Sequence, residues 1–225
     1  MEPVIILGMA RSGTTYLAKE IDKAGIKMFD WEITHMEDAD LWGWNSAELV
    51  ANPPDESTVP YTYEPSAKLV ERLEWYRGMR DKQGGAWGFK EPRVARMFKA
   101  YIKVFPQATY ICCIRNSLSC VWSQMNRVVK AQGVSDTRMF IPFTMRAAHV
   151  AILALENNLD LVWFNYDGDM KDNSDILSNK LGVELHLEET FKWKQAGRSE
   201  RYQPDDTAPL VPVERELDMH KINKD

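Results

Sequence analysis

The chain has 225 residues, of which 44% are hydrophobic and 27% charged, a size and mix that suit one globular domain with a buried core and leave little room for two. Its net charge of −5 argues against nucleic-acid binding, because holding a polyanion by counterion release calls for a basic excess. Three cysteines, Cys112, Cys113 and Cys120, are odd in number and lack metal-ligand spacing, which sets aside a disulfide framework and a zinc site and points to a reducing, cytoplasmic compartment. The N-terminal apolar run, Val4 to Leu7, is too short for a signal peptide or a membrane span, so a soluble chain is expected.

Val4-Ile5-Ile6-Leu7 is a β-branched run ending at Gly8, and Thr14 to Ala24 follows with helical apolar spacing at Leu17, Ala18 and Ile21. From Met28 to Tyr63 the rhythm breaks: Phe29, Trp31, Trp42, Trp44, Tyr61 and Tyr63 stand among acids and prolines, and the stretch to about residue 64 reads as an inserted cap. Ala86 to Lys90 reads as a short strand, Arg93 to Phe105 as a helix, and Ala108 to Ile114 as a buried strand. Helices are expected over Ser117 to Lys130 and Asp136 to Asn158, a strand over Leu159 to Asn165, and a helix from Asn173 to Leu181. The tail after Thr190 is polar and carries Pro204, Pro209 and Pro212, an irregular arm on the single domain. Strands alternating with helices of this length imply an α/β fold with a mostly parallel sheet covered on both faces.

Gly8-Met9-Ala10-Arg11-Ser12-Gly13-Thr14-Thr15 is a glycine-bounded loop between a strand and a helix. In that position backbone N–H groups and the positive end of the helix dipole can surround a phosphate. The spacing is that of a Walker A loop, except that Thr14 stands where lysine is expected. A nucleoside triphosphate needs that lysine on its β- and γ-phosphates, so the loop suits a ligand with a single phosphate at this spot. A turn of ordinary loop chemistry is the bland alternative; the flanking strand and helix and the run of hydroxyls at the helix start weigh against it.

Arg11-Ser12-Gly13-Thr14-Thr15 after a first strand resembles the 5′-phosphosulfate loop of sulfotransferases that use 3′-phosphoadenosine 5′-phosphosulfate (PAPS), in the form with arginine where the cytosolic branch has lysine. Ala108 to Arg115, continuing to Ser123, resembles the 3′-phosphate element of that family: a strand ending in arginine, with a serine eight residues on. A guanidinium at a strand's carboxyl end and a hydroxyl on the next helix can converge on one phosphate at the ligand-binding edge of a parallel sheet. Taken singly, Arg115 reads as a sheet-capping salt bridge and Ser123 as a helix-surface serine. Trp87-Gly88-Phe89-Lys90-Glu91-Pro92-Arg93 is similar to the Lys-Asp-Pro-Arg segment of bacterial members, with glutamate in place of aspartate. The likeness runs over about residues 3 to 130 and implies a P-loop NTPase-like three-layer sandwich.

The resemblance implies sulfuryl transfer, which like phosphoryl transfer depends on positioning and positive charge. It assigns the donor to Gly8, Ala10, Arg11, Ser12, Gly13, Thr14 and Thr15 for one phosphate and to Arg115 and Ser123 for the other. Tyr16 sits where cytosolic members stack a tryptophan on adenine, and Arg198, in a basic Gly-containing segment, would close over the 3′-phosphate. Arg11 stabilises the leaving phosphate but cannot donate a proton at neutral pH; Lys90 is the alternative acid. Candidate bases lie in the cap: Glu32 first, at the spacing from Arg11 seen in tyrosylprotein sulfotransferases; Glu37 second, like the Tyr-Trp-Glu-Asp segment of bacterial members; and His35 third, on its intrinsic pKa. No metal is implied.

The cap aromatics suit a small-molecule, glycan or peptide acceptor, a sugar, phenol or lipid-like alcohol alike, or else form a small core of their own. Two other functions remain open: a nucleotide or small-molecule kinase with a degenerate loop, and a non-catalytic nucleotide-binding protein of the same fold.

Overall fold

Among the described residues, four short runs form the sheet of the computed structural model: β1 (Val4–Gly8), β2 (Gly88–Lys90), β3 (Thr109–Ile114) and β4 (Leu161–Asn165). All are parallel, in the order β2-β1-β3-β4. The helices bounded among the described residues are α1 (Thr14–Lys23), α2 (Ala39–Ala51), α3 (Ala67–Gln83), α4 (Phe98–Val104), α5 (Phe140–Glu156) and α6 (Met170–Leu181). The structure describes residues 2–9, 11–29, 37–116, 119–120, 123 and 140–188, all within one compact unit, Met1–Glu188.

Every residue of β1 is buried, as expected of a parallel strand covered on both faces. Ile5 and Leu7 join Phe89, Tyr110 and Cys112 in the main core, with Leu41 of α2, Leu73 and Tyr76 of α3, Phe98 of α4 and Val150 of α5. Ile6 and its paired neighbour Ile111 point the other way, where α1 packs on β1 and β2 and α6 on β4. Helix, sheet and helix thus make three layers.

The strand readings hold with edges trimmed, and α6 starts at Met170, three residues ahead of the expected Asn173, because Asp169 caps it by accepting the N–H groups of Lys171 and Asp172. The helix expected over Arg93 to Phe105 is instead a 3₁₀ turn, Pro92–Arg96, followed by α4. Pro92 starts that turn, and Glu91 caps it by accepting the Arg93 N–H.

Helix α3 falls in a stretch for which the sequence reading has no element. Its buried residues, Leu69, Val70, Leu73, Tyr76 and Arg80, keep helical spacing between a Ser66 cap and Gly84 at φ 72°. Leu73, fully buried, contributes roughly 1.5–3 kcal/mol relative to an exposed side chain. Within residues 28–64, α2 forms behind an Asp38 cap. Tyr63 enters the main core and Trp44 packs against it, while Trp42 remains 41% exposed. The first two rings therefore do not form a separate core. No helix among the described residues is long and apolar enough to cross a membrane.

Candidate active site

The chain leaves β1 for β2 on one side and crosses back to β3 on the other, so β1 and β3 flank the switch point where open α/β sheets hold ligands. Gly8, Arg11 and Gly13 all have positive φ, 136°, 73° and 94°. At Gly8 a Cβ would come within 2.5 Å of the Cys113 carbonyl oxygen, and at Gly13 within 2.1 Å of the Tyr166 ring. Both glycines are thus required by space as well as by backbone. Arg11 accepts a conformation that costs an L-residue about 1–2 kcal/mol, a strain of the kind that gathers at functional loops. The Ser12 hydroxyl and N–H both donate to the Met9 carbonyl, at 2.7 and 3.2 Å, closing the turn. Helix α1 then begins at Thr14 with no side-chain cap on Gly13, so its positive end faces the loop.

Arg115 follows β3 directly. Its Nη1 donates to the Arg11 carbonyl at 3.3 Å, and Arg11 Nε donates to Ser123 Oγ at 2.9 Å. Ser123 is 5% exposed; it is a buried serine and not a surface one. The loop arginine, the strand-end arginine and the serine, remote in sequence, form one contiguous polar group at the sheet edge. Arg115 is a strand-end ion pair as well, its Nε lying 3.4 Å from Asp167 Oδ1, and its guanidinium carbon stands 5.0 Å from the Tyr166 ring centre.

Tyr16 stands edge-on to Tyr166, ring centres 6.1 Å apart, and its hydroxyl accepts the Glu188 N–H at 2.8 Å. Burial raises its pKa. Lys90 is paired in register with Ile6 and so shares the face of Gly8 and α1. It is 1% exposed, with Nζ 2.7 Å from Glu37 Oε1, and burial lowers its pKa. Arg93 lies 3.6 Å from the other Glu37 oxygen and 3.0 Å from Glu91. The lysine read as a proton donor and the glutamate read as a base are thus each other's ion-pair partners. Asp38 is a buried helix cap that also accepts from the Tyr76 hydroxyl, at 3.2 Å. Ala10, Glu32, His35 and Arg198 lie outside the described residues.

Tyr166 and Asp167 escaped the sequence reading. The signal was an acid in a turn, Asn165-Tyr166-Asp167-Gly168, ending a strand parallel to β3.

A parallel sheet with a glycine-bounded loop and two arginines at its switch point is a P-loop-like α/β architecture. The chain belongs to the Sulfotransferase family, whose model matches residues 3–150. No curated protein sequence matches it. Among solved structures it is similar to the sulfotransferase domain of a Synechococcus olefin synthase, at 18% identity and TM-score 0.48, with 84% of this chain and 75% of that one covered. It is similar also to sulfotransferase STF9 of Mycobacterium avium, at 17% identity and TM-score 0.45, covering 91% and 69%. A sugar kinase from Janibacter gives 15% identity and TM-score 0.45, covering 81% and 95%.

Proposed function

We propose that this sulfotransferase uses PAPS as donor and transfers its sulfuryl group to a hydroxyl or amine of a small-molecule, glycan or peptide acceptor. The observation that carries the reading is the junction of Arg11, Ser123 and Arg115 at the β1–β3 edge. A ligand with phosphates on two sides of one ribose needs two cationic positions within that reach, and a mononucleotide needs one. The loop residues Gly8 to Thr15 would hold the 5′ side through backbone N–H groups. Arg115 and Ser123 would hold the 3′-phosphate.

In the reaction the acceptor oxygen or nitrogen forms a bond to sulfur while the bond from sulfur to the phosphate oxygen breaks, and that oxygen leaves with the electron pair. Arg11 offsets the charge developing there, without a proton to give. A base takes the acceptor proton; Glu32 ranks ahead of Glu37 and His35, since both Glu37 oxygens face cations. Only glycine at 8 and 13 lets the loop lie this close to Cys113 and Tyr166, which fixes the backbone whose N–H groups would face the phosphate.

Calorimetric titration without Mg²⁺ tests the assignment. Arg115→Ala is expected to weaken 3′,5′-adenosine bisphosphate by about 1–3 kcal/mol, the size of a lost charge-assisted contact, and to leave adenosine 5′-phosphate nearly unchanged. Equal losses for the two ligands would remove Arg115 from the 3′ side.

A further inference from the structure

Asp167 makes two separate contacts with its two oxygens. Oδ2 accepts the Asn116 N–H at 2.6 Å, fixing the backbone just after Arg115, and Oδ1 faces Arg115 Nε at 3.4 Å. The turn carrying the carboxylate is itself tied down. Tyr166 N–H donates to the Ile114 carbonyl at 2.9 Å and Gly168 N–H to the Asn165 carbonyl at 3.0 Å. The Asn173 amide, from α6, donates to that same Asn165 carbonyl at 2.9 Å. A firm anchor therefore holds an acid against a side chain of high rotamer entropy.

The guanidinium of Arg115 is met on three sides: by the Asp167 carboxylate, the Tyr166 ring and the Arg11 carbonyl. The ionic contact, at 3.4 Å, is longer than the 2.7–2.9 Å of a full charge-assisted hydrogen bond. A carboxylate at that range steers the cation. An arginine already ordered before the ligand arrives loses less entropy on binding.

We infer that Asp167 is a positioning residue that acts through Arg115 and sets how strongly the protein prefers a nucleotide bearing a 3′-phosphate over one without it. The inference rests on the donor reading above. Because Asp167 acts through Arg115, its effect is expected in selectivity.

The two oxygens allow the roles to be separated. Asp167→Asn keeps one acceptor, enough for the Asn116 N–H, but turns an amide toward Arg115; Asp167→Ala removes both contacts. The readout is the ratio of affinities for 3′,5′-adenosine bisphosphate and adenosine 5′-phosphate, with thermal melting alongside. Asp167→Asn is expected to lower the ratio about three- to tenfold, the effect of having to order one long side chain on binding, with little change in melting. In an Arg115→Ala background it is expected to change the ratio no further, as a coupled pair requires. If Asp167→Asn keeps the wild-type ratio and Asp167→Ala weakens both nucleotides equally, the carboxylate is only a turn anchor and the inference is overturned, with the donor reading intact. If the wild-type protein fails to prefer the bisphosphate, the donor reading itself falls and takes the inference with it.

Discussion

Positive charge sits at two places on the C-terminal edge of the sheet, and the surroundings treat it in opposite ways. Beyond β1 and β3, Arg11 is exposed and Arg115 is held by contacts of 3.3 and 3.4 Å. Beyond β2, Lys90 is 1% exposed and lies 2.7 Å from Glu37, and the buried Glu91 pairs with Arg93 at 3.0 Å. Past the 3₁₀ turn, Glu56 bridges Arg96 and Arg146. A charge taken wholly out of water needs its counter-ion built in, whereas a charge that binds a soluble anion must stay partly hydrated until the anion comes. The chain neutralises the β2 side with ion pairs of 2.7 and 3.0 Å and meets Arg115 of the β1–β3 side with a longer one of 3.4 Å.

The largest effect that tests this contrast is expected on the β2 side. Glu37→Ala strands the Lys90 ammonium, and breaking a buried pair in this way costs about 3–5 kcal/mol. Lys90→Met removes the charge together with its need for a partner and should cost far less in the same denaturant titration. Equal losses would show that the pair is not desolvated. Next in size is Gly13→Ala on the ligand side, where a positive φ and an overlap with Tyr166 together should cost about 2–4 kcal/mol. Thermal melting checks it: a variant that melts like the wild type would mean that Tyr166 does not close on the loop.

The same contrast explains what could be read from the residues alone. Local grammar was legible. A β-branched run ending in glycine, a run of hydroxyls and a helical period specify β1, the loop and α1 without reference to any other part of the chain. Arg115 could be placed at a strand's end for the same reason. Partnership was not legible. Nothing local says that Glu37 closes on Lys90, 53 residues away, or that Asp167 meets Arg115 across 52, because strand order decides both. The tertiary fold also put Tyr63 into the main core and Trp44 against it, although the acids and prolines around them gave that stretch the look of a surface cap. Helix α3 is the opposite case, since its apolar spacing and Ser66 cap were present in the sequence but lay between a proline-rich stretch and a glycine pair.

The smallest expected effect also belongs to the closed side and appears only in acid. His149 is 1% exposed, stacked on Tyr61 with ring centres 4.3 Å apart. Its Nδ1 accepts the Tyr61 N–H at 2.8 Å, which leaves the proton on Nε2, buried without a hydrogen-bond partner among the described residues. Burial first, and the nearby Lys99 charge second, push its pKa down to about 4, against a weaker upward pull from Glu56. The unfolded chain takes up that proton below about pH 6.5 and the folded protein only near 4. Between those values the unfolded state binds more protons, so stability is complete above pH 6.5 and declines as the pH falls, by about 2 kcal/mol at pH 5. Melting curves from pH 7 to 4.5 should show this slope, and His149→Gln should flatten it. An acid slope unchanged by His149→Gln would move the origin of the effect out of the β2 side altogether.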